Sequence, residues 1–560
     1  MNKLATTQSP SAVGLCGVPK DNCAPRVESY GRVHCALGYD FSNVAMVAVD
    51  GGYVVIDTSA TLESARVIRR EFEKLAAGRL LTVVYTHSHS DHIGGAAAFC
   101  DPGVPIWAHR DFARELAITQ LFPAAYFVRG AKQFGAALPL EQVAADTIGP
   151  PYRFSGEPRP PVRFPTALFD SRAAFEIGGV KFELQSAPGE THDHLFVWLP
   201  EERTLLAGDN IFRAYPNLYA IRGVPARPVR EWIDSLDAMR RLDPAPEVMV
   251  LGHTETVHGA ASIHERLTVY RDAIARVHDG VVAGINAGKT PDELVDEIQL
   301  PRDLREHPFL QERYGTLRGA IRGIYCGYMG WFDGDAANLD PLGLKEVARH
   351  LLPLFGGPER MLGQIEAAEA EGNLRWALWL AQAWLAAQPS SKMARRKKAE
   401  LLERLADGCS NPLMQNWMRS DAELLNDRRH LPPTPRIDGD TIAELPVEEI
   451  VRLMPTRLHP MRSANLTAAI GYEFTDTGKK YTFFVRRGIG EVAPGLDAGV
   501  EVVIRTTESD FKRILVAGDV RPLSRQFWKR IQIIAPRRGV FSRLRMLRLL
   551  LRMRRCMVLP

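Results

Sequence analysis

The stretch Thr86-His87-Ser88-His89-Ser90-Asp91-His92 constrains this chain more than any other. It follows directly on the apolar, β-branched run Leu81-Thr82-Val83-Val84-Tyr85, which reads as a buried strand. A strand end followed by a tight loop aims alternate side chains at one point. Imidazole and carboxylate are the donors that zinc takes. His87 and His89 are placed to face one metal, and Asp91 and His92, beyond the turn, a second. The chain has 15 His in 560 residues, so their density here is not a compositional accident. Gly94-Gly95 then permits close backbone approach before a helix predicted from Ala96.

Around this loop the predicted elements alternate. Val44–Val49 and Tyr53–Asp57 read as strands joined by an Asp50-Gly51-Gly52 turn, and Leu62–Ala77 as a helix with Ala65, Ile68, Phe72 and Leu75 on its apolar face. Strands are predicted again at Val180–Leu184, Leu195–Leu199, Thr204–Ala207 and Val248–Leu251, with a Pro-rich loop or lid at 146–170. Three of these runs lead into polar clusters: Pro188-Gly189-Glu190-Thr191-His192-Asp193-His194, Gly208-Asp209-Asn210 and Gly252-His253-Thr254. Each alone would pass for a polar loop. Together with the first, in this order, they predict convergence on one edge of an α/β sandwich.

Beyond residue 260 the pattern is helical. Residues 345–425 are rich in Ala, Leu, Trp, Glu, Arg and Lys with regular Gly and Pro punctuation, which reads as paired helices of repeat type. The face Trp376, Leu380, Ala383 and Trp384 requires burial against a neighbouring helix or another subunit. A Pro-rich linker at 428–440 leads to a small α+β domain: a helix at Val447–Met454, strands at Leu466–Phe474, Lys480–Arg486 and Val500–Arg505, then a helix from Glu508. The predicted division is a leader at 1–27, a catalytic domain at 28–335, a helical domain at 336–430, the α+β domain at 431–536 and a tail at 537–560.

That tail carries eight Arg between Arg537 and Arg555, no acid, and interleaved Leu and Met. It predicts either a basic amphipathic helix on an anionic membrane surface or a terminal helix docked on protein. The net charge of the whole chain, +4, gives no argument for a nucleic-acid partner. Seven scattered Cys without a CxxC pair and the lack of an evident signal peptide predict a reducing, cytoplasmic setting.

The ordered motifs HxHxDH, Gly-Glu, Gly-Asp and Gly-His resemble the metallo-β-lactamase fold of binuclear metallohydrolases. Glu190, where that superfamily normally has His, resembles the Pro-Gly-Thr-Glu motif of its alkyl sulfatase branch. Asn217-Leu218-Tyr219-Ala220-Ile221-Arg222-Gly223 is similar to that branch's Asn-Leu-Tyr-Thr-Leu-Arg-Gly, and Tyr328-Met329-Gly330-Trp331-Phe332-Asp333-Gly334 to its Tyr-Leu-Gly-Trp-Phe-Asp-Gly. The resemblance implies an αβ/βα sandwich followed by an all-α dimerisation domain, hence a homodimer, and a sterol-carrier-protein-like α+β domain. It implies two Zn²⁺ per chain, the first on His87, His89 and Glu190, the second on Asp91, His92 and His253, with Asp209 bridging where the branch has Glu. His192, Asp193 and His194 would stand behind the ligands, orienting Glu190 or carrying protons.

The activity implied is hydrolysis of alkyl sulfate esters by metal-activated water. Asp91 and Asp209 would serve at the water, and Asn217, Tyr219 and Arg222 at the sulfate. Leu466, Ile470, Phe474, Phe483, Val485 and Val502 would either line an alkyl-chain tunnel or form core. One departure stands out. Where the branch has Ser-His-Asn after a Tyr-Gly-Ser stretch, this chain has Leu317-Arg318-Gly319-Ala320 after Tyr314-Gly315-Thr316, leaving Arg318 as a different anion contact. That departure keeps open a metallohydrolase of another ester, such as a phosphoester, thioester or lactone; a third reading, from a different class, is a lipid-binding or membrane-recruited protein with a vestigial metal site.

Overall fold

The computed structural model describes residues 24–560 apart from 102, 145–146, 153–161, 434–441, 444, 518–530, 535–547, 554 and 558–560. The chain divides into two compact units, the larger comprising most of the residues up to 434 and the smaller mainly those from 435 onward.

The larger unit holds two sheets. The first runs β1 (Arg26–Tyr30), β2 (Val33–Leu37), β3 (Val44–Val49), β4 (Gly52–Ile56), β5 (Arg79–Val84), β6 (Ile106–His109) and β7 (Ala167–Phe169), paired in that order. The second holds β8 (Arg172–Ile177), β9 (Val180–Ser186), β10 (Leu195–Leu199), β11 (Thr204–Leu206), β12 (Val248–Val250) and β13 (Val257–His258), also paired in order. Their facing side chains, among them Val47, Val54, Ile56 and Val84 from one sheet and Phe182, Leu184, Val197 and Leu206 from the other, form a single apolar layer. Strands buried on both faces explain why β4, β5, β10 and β12 read as unbroken apolar runs rather than alternating ones.

Helices cover the outer faces. Leu62–Phe72 buries Ala65, Ile68 and Phe72 as predicted, with Thr61 Oγ1 capping its first turn. It stops short of Leu75, which is 42% exposed. On the second sheet lie Val229–Arg240, the long Ala260–Asn286 and Leu317–Met329, contributing Trp232, Leu236, Ile274 and Ile321 to one large cluster. This is the expected αβ/βα sandwich. Strands β7 and β8 lie where a loop was predicted or in unassigned sequence just after it. β7 has three residues, and β8, Arg172-Ala173-Ala174-Phe175-Glu176-Ile177, exposes every second residue and buries none fully. Residues 153–161 of the predicted lid, and 1–23 of the predicted leader, lie outside the described residues, and β1 opens at Arg26.

The larger unit continues into five helices, Leu344–Leu354, Pro358–Ala370, Leu374–Ala387, Lys392–Asp407 and Pro412–Leu425. Leu380, Ala383 and Trp384 are buried, Leu380 and Trp384 in the bundle core with Met361 and Ile365. Trp376 is not: it stacks on Trp379 at 5.2 Å, and the two rings stay 43% and 40% exposed.

The smaller unit is a five-stranded sheet, β16-β15-β14-β17-β18, built from β14 (Ala468–Phe474), β15 (Lys480–Arg486), β16 (Ile489–Pro494), β17 (Val502–Thr506) and β18 (Gln532–Ile534). Strands β16 and β18 were not anticipated: each is a sheet edge, part exposed, with little apolar alternation to betray it. Leu466, Ile470, Phe474, Phe483, Val485 and Val502 pack together in its core. Leu549, Met553 and Cys556, from the predicted basic tail, join that core, while 535–547, 554 and 558–560 lie outside the described residues. No helix among the described residues is long and apolar enough to cross a membrane.

Candidate metal centre

The four polar clusters leave the two sheets at the same edge because of how their strands run. β4 and β5 are parallel neighbours, as are β11 and β12. Asp57 and the histidine loop therefore emerge side by side from one sheet, Asp209 and His253 from the other. Backbone bonds stitch the edge together: Leu195 N to Thr86 O at 2.9 Å, Gly252 N to Gly208 O at 2.8 Å and Asn43 N to Gly252 O at 2.7 Å. Two glycines are required here. A Cβ on Gly252 would lie 1.9 Å from Asp209 Oδ1, and one on Gly208, which has φ of +59°, would lie 2.6 Å from His194 Nε2.

Two groups of donors result, His87 with His89 and Asp209, and Asp91 with His92 and His253. Asp209 Oδ2 faces both, lying 3.7 Å from His87 Nε2, 3.2 Å from His92 Nε2 and 3.1 Å from His253 Nε2. Asp91 Oδ2 is 3.5 Å from His92 Nε2 and 3.4 Å from His253 Nε2. Glu190 approaches the first group through Oε1, 3.9 Å from His89 Nδ1. His92 Nε2 is buried without a hydrogen-bond partner although Asp209 Oδ2 lies 3.2 Å away, and Asp209 Oδ1 is unpartnered as well. Buried polar atoms are nearly always partnered. Orphaned imidazole and carboxylate atoms at one point fit a metal centre, and the donor set suits zinc.

The electrostatics follow from burial in a mixed-charge cluster. Burial, with the neighbouring His92, holds His87 neutral and well below the ordinary histidine range. Burial and the positive charge of Arg222 do the same to His89. Burial also opposes charge on His253, yet Asp209 and Asp91 outweigh it and push that imidazole up to about 9. Asp209 and Asp91 lie well below the carboxylate range despite burial, because His253 and His92 stand against them.

Behind the donors stand residues that sequence reasoning passed over. Asp57, at φ of +60°, accepts from Thr86 N and Thr86 Oγ1 at 2.8 Å each, and its Oδ2 is 2.8 Å from His92 Nδ1. That bond fixes which ring nitrogen of His92 faces the centre. Its only sequence signal was an acid at the end of a buried strand. His253 Nδ1 sits 2.8 Å from Phe41 O, a main-chain partner no sequence motif marks. Asn210 Oδ1 accepts the Glu190 amide at 2.9 Å. His194 serves Asp209, accepting its amide at Nε2 over 3.0 Å, rather than Glu190. His192 is exposed, and Asp193 is buried.

Of the residues expected at the substrate, Arg222 donates from Nε to Tyr126 Oη at 3.0 Å and lies over that ring. Asn217 is buried, its Nδ2 without an acceptor among the described residues. Tyr219 is 38% exposed and packs against Gly323. Arg318 is half exposed and pairs with Asp296 at 3.4 Å, so it points away from the centre. Arg227, not singled out from sequence, is buried against Glu190.

Comparison with known proteins agrees with this construction. Residues 37–253 match the family model of the metallo-beta-lactamase superfamily, and residues 290–428 that of alkyl sulfatase dimerisation. A linear primary-alkylsulfatase of Pseudomonas sp. is 30% identical over 494 residues, covering 85% of this chain and 92% of that protein. An (R)-specific secondary-alkylsulfatase of Pseudomonas sp. is 27% identical, covering 87% and 76%. The solved structure of a stereoselective inverting sec-alkylsulfatase from Pseudomonas sp. has the same fold, with a TM-score of 0.83 at 24% identity over 94% of this chain and 85% of that one.

Proposed function

This chain belongs to the alkylsulfatases of the metallo-β-lactamase superfamily, and we propose that it is a two-zinc hydrolase that cleaves alkyl sulfate esters to an alcohol and inorganic sulfate. The observation that carries this reading is the pair of donor groups sharing Asp209 Oδ2, beside two buried guanidinium groups.

His87, His89 and Glu190 would hold one zinc ion, and Asp91, His92 and His253 the other, with Asp209 between them. Bound zinc would supply Lewis acidity and lower the pKa of water toward neutrality. The protein's own groups do the rest. Asp91 and Asp209, ionised at neutral pH, accept hydrogen bonds from the attacking water and orient it. Arg222 stays charged despite burial, because its partner Tyr126 and nearby Tyr314 and Asp91 favour the cation. Its planar fork suits a sulfate ester's oxygens. The Asn217 Nδ2 donor serves the same anion, with Tyr219 at the rim. All six apolar side chains expected either to gather an alkyl chain or to form core, Leu466, Ile470, Phe474, Phe483, Val485 and Val502, pack in the core of the smaller unit, which favours the second of those readings.

The test is sulfate release from dodecyl sulfate by protein loaded with zinc, set against phosphate release from an aryl phosphate. Sulfate release lost on chelation and restored by zinc supports the reading. Phosphate release alone would favour the phosphoester alternative, and absence of bound metal the vestigial one.

The helical domain supports a homodimer, with the exposed Trp376–Trp379 stack available to a second copy. The scattered Cys without a CxxC pair support a reducing, cytoplasmic setting, which cell fractionation would test. Leu549 and Met553 of the Arg-rich tail pack in their own unit's core, while the described arginines Arg548, Arg552 and Arg555 are exposed, Arg552 donating to Asn465 O; we propose that these charges meet an anionic membrane surface. Loss of liposome binding on removing 537–560 supports that contact, and unchanged binding refutes it.

A further inference from the structure

Glu190 is a buried carboxylate in a cluster that already holds Asp91, Asp209 and Asp57. A buried charge persists only where it is paired and hydrogen-bonded. Here the pairing is divided between the two oxygens. Oε1 is turned toward His89, while Oε2 is in ion-pair contact with Arg227 Nη1, both side chains being almost wholly shielded from solvent.

Arg227 is itself held in a closed circuit. Its guanidinium lies over the Trp232 ring at 5.9 Å. Trp232 Nε1 donates to Asn210 O at 2.9 Å, Asn210 Nδ2 donates to Ala187 O at 2.6 Å, and Asn210 Oδ1 accepts the Glu190 amide. The circuit therefore closes on the residue it began with. Pro228, immediately after Arg227, restricts the backbone that delivers it.

We propose that Arg227 is a positioning residue for the His87–His89–Glu190 site: it neutralises Glu190 and holds one carboxylate oxygen back, so that the other alone is presented to the metal. The proposal rests on the reading of Glu190 as a ligand, and it extends that reading to a residue outside the motifs. An arginine does this better than a lysine because its planar fork has a fixed direction. Nε, Nη1 and Nη2 of Arg227 and Oε2 of Glu190 all lack a hydrogen-bond partner among the described residues, so the two side chains meet as an ion pair only, which sets up a rival role: contact with the substrate's anion alone.

Zinc titration of the chelator-stripped full-length protein against a chromophoric competitor separates the two roles. Parent protein is compared with Arg227→Met, Arg227→Lys, and Glu190→His combined with Arg227→Met. In Arg227→Met one zinc equivalent keeps the parental affinity and the other weakens about 10–100-fold, the usual cost of removing a partner behind a ligand. Arg227→Lys falls between. Adding Glu190→His to Arg227→Met recovers most of the lost affinity, because a neutral imidazole needs no counter-charge. Parental affinity for both equivalents in Arg227→Met, with KM for dodecyl sulfate raised, overturns the proposal in favour of the anion contact. If thermal melts show that Arg227→Met does not fold, Arg227→Lys decides, and unchanged affinity there overturns the proposal too. A parent that binds no zinc sinks both this proposal and the two-zinc reading. A parent that binds zinc but releases no sulfate fails the substrate reading only.

Discussion

The two halves of the metal centre are supported differently. Behind Asp91, His92 and His253 every imidazole is fixed at Nδ1, His92 by Asp57 and His253 by the Phe41 carbonyl, each at 2.8 Å. Behind His87, His89 and Glu190 the support is lighter. His87 Nδ1 has Thr86 Oγ1 at 3.1 Å, while His89, part exposed, turns Nδ1 toward His87 Nε2 at 2.9 Å. The charges differ as well. The second group pairs imidazoles with carboxylates, whereas the first sets neutral imidazoles beside Arg222 and Arg227. A rigid, charge-balanced half suits retention of an ion. A half that faces guanidinium groups suits an incoming anion.

Asp209, which faces both halves, is the place to break this comparison. Asp209→Ala should cost at least one metal per chain and reduce turnover by more than the ~10–100-fold typical of outer partners. Full metal occupancy in that variant, measured by elemental analysis, would defeat its role between the halves. Asp57→Asn sharpens the comparison by touching the second half directly, at His92 Nδ1, and the first only through Thr86 Oγ1. Zinc affinity there should fall about 10–100-fold while the other equivalent is unchanged, and a loss shared by both equivalents would show that the halves are not separable. The smallest effect is expected at Arg222→Ala, which removes the anion contact proposed above. Losing one charge-assisted bond of about 1.5–3 kcal/mol lowers kcat/KM roughly 10–100-fold, with metal content intact. Lost zinc would place Arg222 in the metal centre instead.

Much of this centre was legible in the chain. Histidines at two-residue spacing after an apolar run, and acids or histidines following glycine after later runs, announce strand-end donors, and the parallel pairs β4–β5 and β11–β12 carry them to one edge. The strands buried on both faces were legible for the same reason, a continuous apolar run. Edge strands β8, β16 and β18 were not, since an edge is part exposed and carries no continuous apolar run. Asp57 and Arg227 were missed because an acid at a strand end and an arginine before a proline are common in surface loops. The burial that gives them meaning arises only when distant segments close over them.

The sequence by itself determined the donors, their order and the fold that gathers them, because ligand type and strand periodicity are local properties written in consecutive residues. Only the tertiary structure decided which atoms each donor turns inward. It set His92 against Asp57, His253 against the Phe41 carbonyl and Glu190 against Arg227, and it turned Arg318 away to Asp296. Those choices depend on pairing and desolvation between residues far apart in the chain.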